Sequence, residues 1–83
     1  MKLEAIYNEL AEIAKQHDIK IRKENGLFKG GLCIVNNERH IVVNKNMPLE
    51  IMTTVIADCL STLDLSNQYM KPAVRELLER RVA

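Results

Sequence analysis

The hydrophobic periodicity of the chain changes at Asp18, and this change limits the fold more than any other feature of the sequence. Before it, a stripe of residues recurs with the spacing of one helix face; its members are Leu3, Ile6, Tyr7, Leu10, Ile13, Ala14 and His17. After it, the segment Ile19–Lys23 alternates between apolar and charged residues, which is typical of a half-buried strand. The sequence therefore predicts a helix from about Lys2 to His17 and then a strand.

Two further strands are expected after a turn at Glu24–Gly26. Leu32–Val35 and Ile41–Val43 are apolar at every position, the composition of central strands that are covered on both sheet faces. Asn36–Arg39 is predicted to be the hairpin loop between them. Either the C-terminal helix or another subunit must cover the second sheet face, so a monomer and a homodimer both stay open.

Two helices are expected to complete the fold. Asn46 or Met47 can cap the first of them, with Pro48 in its first turn. Its buried stripe is Met52, Val55, Ile56, Cys59, Leu60 and Leu63. The last helix is predicted from Pro72 to about Arg81. The fold class is α+β in a single domain, residues 1–83: an N-terminal helix, a three-stranded mainly antiparallel sheet with a hairpin, and two C-terminal helices.

Charge and hydropathy bear on the partners of the chain. Lys and Arg number 12 against 11 Asp and Glu, for a net charge of +1, so no general attraction to nucleic acid or to an anionic membrane is expected. No apolar run approaches the roughly 20 residues of a membrane helix, and the first residues contain no hydrophobic signal core. We expect a cytoplasmic protein that binds neither nucleic acid nor membrane.

Residues that carry catalysis are few. A nucleophile needs a neighbouring base, but His17 continues the apolar stripe of the first helix, and neither Cys33 nor Cys59 has a local motif that pairs it with His40. A zinc site that combined these residues with Asp58 would depend on convergence in the tertiary structure. The two cysteines lie in apolar runs and are expected to be buried free thiols. The sequence predicts no enzyme, no metal and no cofactor.

The outward face of the second helix is unusual. It carries small, mostly uncharged residues, namely Thr53, Thr54, Asp58, Ser61 and Thr62. Exposed helix faces normally carry long charged side chains. A small polar face indicates close packing by a neighbouring element, or a shallow groove. We name Thr54, Asp58, Ser61 and Thr62 as the candidate groove or partner face.

This part of the chain resembles a known family. Ile41–Asn44, Met47–Glu50 and Ile56–Leu63, within a matched region of roughly Gly31 to Leu65, resemble the minimal zincin-like core of ImmA/IrrE-type metallopeptidases. In that family a strand pair leads through a short loop into the active-site helix. The whole chain also resembles short bacterial proteins to which no activity is assigned.

The catalytic residues of that family are not carried over. Its HExxH motif supplies two zinc-binding histidines and a glutamate that activates water. In this chain Asp58 and Thr62 stand at the two histidine positions, and Cys59 stands at the glutamate position. The resemblance thus implies an inactive zincin-like domain that binds a peptide or small ligand without hydrolysis. The alternative that we favour from the residues is a non-enzymatic module that binds an unidentified protein or a second copy of itself.

Overall fold

The computed structural model of the chain describes residues 2–26, 30–63, 65 and 68–82, with side chains as far as residue 80. Its elements, in chain order, are α1 (Leu3–Gln16), β1 (Ile19–Glu24), β2 (Gly30–Val35), β3 (Glu38–Asn44), α2 (Leu49–Leu60) and α3 (Pro72–Val82). The α+β class and the order of elements predicted from the sequence are confirmed.

The first helix ends at the point where the sequence pattern changes. Asp18 has a φ of 59°, the left-handed conformation that commonly ends a helix and that Asp tolerates better than most residues. The side chain of Arg39 then donates a hydrogen bond of 2.7 Å to the carbonyl oxygen of His17. A carbonyl left without a helical partner is satisfied in this way, and the chain enters β1 directly.

The three strands form one mixed sheet in the order β1-β3-β2. β2 pairs with β3 antiparallel, and β1 pairs with β3 parallel. Within the described residues, only β3 has a strand on each side. The prediction that both apolar strands are central is therefore wrong for β2, which is an edge strand.

The hairpin between β2 and β3 is tighter than predicted. Asn36 and Asn37 have φ values of 52° and 67°, as in a type I′ turn, whose twist matches that of the flanking strands. Val35 and Glu38 pair directly across the turn. The loop is therefore these two asparagines, and Glu38 and Arg39 belong to β3 instead of the loop.

Gly30 allows α2 to lie close over the start of β2. Its φ is 125°, which side-chain-bearing residues rarely adopt, and a Cβ atom built there would overlap the carbonyl oxygen of Val42. The same Cβ would lie 3.2 Å from Cγ1 of Val55 on α2. A side chain at this position is excluded by the strand on one side and crowded by the helix on the other.

The three helices lie on one side of the sheet. α1 and α2 pack against each other and against the strands, and α3 packs on α1 and α2. The buried core consists of Leu10, Ile13, Ala14, Ile19, Ile41, Val43, Val55, Ile56, Ala57, Leu60, Met70, Val74 and Leu78. Among the described elements none covers the opposite sheet face, so α3 does not provide the second cover that the sequence left open.

The start of α2 differs in detail from the prediction. Pro48 occupies the N-cap position, and no side chain caps the helix. Asn46 instead donates its backbone N–H to Oδ1 of Asn44 at 3.0 Å, in an Asx-type turn that leads the chain out of β3. None of the described helices has both the length and the apolar character needed to cross a bilayer.

Candidate functional site

The four residues of the candidate groove lie along α2 and its C-terminal end, and three of them use their hydroxyl protons locally. Thr54 donates to the carbonyl of Glu50 at 2.9 Å, Ser61 to that of Asp58 at 2.8 Å, and Thr62 to that of Cys59 at 2.7 Å. Bonds of this kind satisfy a hydroxyl group without any partner outside the helix. These hydroxyls can accept a hydrogen bond from a ligand, but their donors are engaged.

The same residues do not converge on one cavity. Thr54 lines a shallow cavity of about 220 Å³ between α1, α2 and α3, and Ser61 lines a second one of about 280 Å³ beside α3. Asp58 and Thr62 are exposed and are not among the residues that line these cavities. Whether the four residues contact a partner stays a prediction.

Thr53 is not on the outward face to which the sequence assigned it. It is 3% exposed and donates to the carbonyl of Leu49 at 2.7 Å. Close packing by α1 and α3 therefore explains part of the small-residue face of α2, because Leu3, Ile6 and Leu77 line the same shallow cavity.

One structural expectation of the zincin-like resemblance can be compared with the fold. α2 packs beside the hairpin of β2 and β3, in the order strand pair, loop, helix. The described residues contain no group of three or more His, Cys, Asp or Glu side chains placed to hold a metal ion.

The two cysteines occupy different environments, and both are free thiols. Cys33 is exposed on β2, so the prediction that both are buried is wrong for this residue. Cys59 is half-buried on α2, and its burial raises the pKa of its thiol, with smaller contributions from the charges of Asp58 and Cys33. A raised pKa lowers the thiolate fraction of Cys59 at neutral pH, and Cys33 is the more accessible of the two thiols.

A group of polar residues meets on the sheet face opposite α1 and α2, which we call the open face. Lys20 donates to Oε2 of Glu38 at 3.1 Å, and Nε2 of His40 lies 3.5 Å from the same oxygen. The charge of Lys20 and its hydrogen bond lower the pKa of Glu38. Cys33 lies directly opposite His40 in the β2–β3 ladder, and partners in an antiparallel pair project to the same face.

His40 is the buried member of this group. It is 8% exposed, and its Nδ1 atom is buried without a hydrogen-bond partner among the described residues. Cys33 and His40 are seven positions apart, with no motif to link them. Only the two-residue turn, which sets the strand register, brings them together. The pair can be predicted from the sequence only if this register is known.

The outer strand β2 presents an unusual surface. Leu32 is 43%, Ile34 70% and Val35 41% exposed, and Cys33 is exposed between them. We call these four residues of β2 the apolar edge. No charged residue occurs in β2 or in its turn. Natural edge strands usually carry lysine, proline or a bulge that prevents pairing with another chain, and the described part of β2 carries none of these.

The turn also determines which backbone groups of β2 point outward. A two-residue turn is closed by its own hydrogen bond, so Val35 and Glu38 form a hydrogen-bonded pair. Hydrogen-bonded and non-hydrogen-bonded pairs alternate along an antiparallel ladder. Cys33 and His40 are therefore hydrogen-bonded, and Cys33 directs its N–H and C=O toward β3. The neighbouring residues Leu32 and Ile34 direct theirs outward, away from the sheet.

The largest of the described cavities lies elsewhere, between the end of α1 and the hairpin turn. Its volume is about 590 Å³, and its lining includes Lys15, Asp18, Lys20, Glu38 and Arg39. Charges of both signs line it, and Arg39 and Lys20 are already bonded to His17 and Glu38. It does not select one charge class of ligand.

Comparison of the chain with family models, with curated proteins and with solved structures finds no significant match.

Proposed function

We propose that this chain is a non-enzymatic self-associating module, which forms a homodimer by pairing β2 with β2 of a second copy. The observation that carries the proposal is the apolar edge, four consecutive exposed apolar residues on a strand that has no neighbour on its outer side among the described residues. Two antiparallel β2 strands give a continuous six-stranded sheet. Pairing supplies partners for the outward N–H and C=O groups of Leu32 and Ile34, and removes their side chains from water.

A second copy fits this edge better than an unrelated strand does, because a two-fold axis sets the same surface against itself. The absence of charge in β2 means that two copies meet without like-charge repulsion. On the helix side of the sheet, Leu32 of one copy meets Ile34 of the other, twice. A partner of another kind would need its own free apolar strand to match this surface.

The outward groups restrict how the two strands align. The two-fold axis can pass beside Leu32, Cys33 or Ile34, because each alignment joins outward-directed groups to one another. A Leu32-centred pairing places Ile34 opposite Gly30, which has no side chain. An Ile34-centred pairing places Leu32 opposite the polar Asn36. The Cys33-centred pairing matches Leu32 with Ile34 and places Gly31 opposite Val35, so it buries the most apolar surface.

The test is the mass of the protein in solution under reducing conditions, measured by sedimentation equilibrium over a broad dilution range. We expect a concentration-dependent dimer for the wild type. Ile34→Lys should raise the dimer dissociation constant at least about a hundredfold, because it removes buried apolar area and places an ammonium group in each half of the interface.

Tyr69→Lys is the matched control, because Tyr69 is 85% exposed but lies outside the sheet. It should leave the dimer unchanged. Circular dichroism and thermal melting show whether each variant remains folded. A wild-type protein that keeps a monomer mass at every concentration would overturn the proposal, and so would dimers that Ile34→Lys leaves intact.

A further inference from the structure

We propose that Cys33 is a redox-sensitive site, at which an intermolecular disulfide joins the Cys33 residues of two copies while His40 accepts the thiol proton. The inference rests on the proposed dimer, and specifically on the Cys33-centred alignment. It assigns a chemical role to two residues that the self-association itself does not require.

The geometry of the alignment brings the two thiols together. The backbone N–H and C=O of Cys33 are hydrogen-bonded to β3. Two Cys33 residues on the two-fold axis therefore form a non-hydrogen-bonded pair. The Cα atoms of such a pair are about 4.5 Å apart, within the range of about 4.4–6.8 Å that disulfides span. Both side chains project from the open face, where no described element covers them.

His40 is the second observation that points to this site. It is more than nine-tenths buried, and its Nδ1 lacks a hydrogen-bond partner among the described residues, which is costly for a polar atom in the interior. The ladder places it directly opposite Cys33. An unprotonated imidazole nitrogen there can accept the thiol proton and leave the nucleophilic thiolate.

Among the described residues, the charged side chains on the same sheet face as His40 are Lys20, Arg22 and Glu24 on β1 and Glu38 on β3. Glu38 accepts from Lys20 and lies 3.5 Å from Nε2 of His40. A carboxylate beside Nε2 orients the imidazole ring. The side chains of Cys33, His40 and Glu38 therefore share one face of two adjacent strands.

The reaction is thiol–disulfide exchange with a low-molecular-weight disulfide. The Cys33 thiolate attacks one sulfur of that disulfide, which breaks, and a mixed disulfide forms as one small thiolate leaves. The Cys33 thiolate of the second copy then attacks the Cys33 sulfur and expels the second small thiolate. Two protein thiols are oxidised to one disulfide, the reagent is reduced to two thiols, and the protons pass through His40 to the leaving groups.

The first experiment separates this inference from the proposed function. The masses of the Cys33→Ser and Cys59→Ala proteins in solution are measured by sedimentation equilibrium under reducing conditions. Both proteins are then treated with oxidised glutathione and analysed by intact-mass spectrometry and non-reducing gel electrophoresis. We expect both variants to dimerise non-covalently. Only Cys59→Ala should give a covalent species of twice the chain mass, which a reducing agent reverses.

The outcomes are distinguishable. Cys33→Ser that is monomeric in the reducing buffer would contradict the proposed dimer itself. Non-covalent dimers of Cys59→Ala that gain only one glutathione per chain would leave the dimer standing and overturn the disulfide. A covalent dimer formed by Cys33→Ser through Cys59 would likewise overturn the assignment to Cys33.

The second experiment tests His40 through the pH dependence of the exchange rate. His40→Gln and His40→Phe, each in the Cys59→Ala background and each checked for folding, should slow exchange at least about tenfold at about pH 7. At about pH 9.5, where thiols ionise without a base, the rates should approach that of the parent. A deficit that is equal at all pH values, or no deficit in either folded variant, would remove His40 from the proposal.

Discussion

The two edges of the sheet differ in whether a strand of another chain can pair with them. The β1 edge carries three cations: Lys20 is paired with Glu38 at 3.1 Å, Arg22 with Glu24 at 2.6 Å, and Nζ of Lys23 lies 5.4 Å from the centre of the Tyr7 ring. The apolar edge of β2 has no charge and is exposed on both sides of the strand. One edge is protected from pairing and the other is not.

This difference determines the kind of assembly that the fold permits. In the proposed dimer, pairing of β2 with its copy covers both apolar edges and leaves a charged β1 edge at each end of a six-stranded sheet. Further strands then meet lysine and arginine, so growth stops at two copies. A sheet with two apolar edges would add copies without limit, as in fibrils. The contrast between the two edges is thus the feature that would limit the proposed assembly to a closed dimer.

The largest expected effect comes from breaking β2 itself at Gly30. Gly30→Ala adds a Cβ that overlaps the carbonyl of Val42 at a φ of 125°, and we expect the free energy of unfolding to fall by about 3 kcal/mol. The distortion of the strand should weaken the dimer as well. Urea unfolding and sedimentation measure the two effects.

Gly31→Ala is the matched control for that change. A Cβ at Gly31 meets nothing within 4 Å and its φ lies outside the strained range, so the free energy of unfolding should change by no more than about 0.5 kcal/mol. Equal destabilisation by the two alanines would mean that the close approach of strand and helix at Gly30 does not constrain β2.

A second change removes the protection of the other edge. The double variant Lys20→Val/Arg22→Val gives β1 an apolar, β-branched face, at the cost of two exposed ion pairs worth at most about 1 kcal/mol each. We expect assemblies larger than the dimer, detected by light scattering. Adding Ile34→Lys should limit them again, because only one edge is then open. A double variant that keeps the wild-type mass would show that the charges of β1 do not limit assembly.

The sequence was sufficient for the elements whose pattern is local. The stripe from Leu3 to His17 and the alternation after Ile19 predict α1 and β1, because side-chain period follows backbone geometry directly. The apolar run Leu32–Val35 predicts a strand but not its place in the sheet. A central strand and an associating edge strand bury the same side chains, one within the chain and the other against a partner, so composition alone does not separate them.

Prediction of the candidate site requires the pairing register of β2 and β3, which the sequence pattern does not determine. The length of the turn at Asn36–Asn37 decides whether Cys33 faces His40 or a neighbour of it, and a shift of one residue moves the side chain to the other face. A four-residue loop was expected here, and with it neither the Cys33–His40 pair nor the outward groups of Leu32 follow. The positive φ of both asparagines supplies the missing information.

The smallest expected effect is the pH dependence of the stability that the Lys20–Glu38 pair provides. The hydrogen bond and charge of Lys20 lower the pKa of Glu38 from its ordinary value of 4.5. A carboxyl with a lowered folded-state pKa stabilises the fold at pH values above its unfolded pKa, and that contribution is lost as the pH falls through the folded value. Because Glu38 is exposed, the effect is small and sensitive to salt.

The variant Glu38→Gln never has this contribution. Its urea midpoint should therefore lie slightly below that of the wild type near neutral pH, and the two should converge as the pH falls below 4.5. Glu12→Gln, at an exposed position on α1, is the control and should show no such convergence.

The apolar edge contains no titrating carboxyl, so the dimer dissociation constant should stay unchanged over the range in which Glu38 gains its proton. A dimer that dissociates in parallel with the loss of the Lys20–Glu38 pair would mean that the interface includes the charged part of the open face, and that the two edges do not act independently.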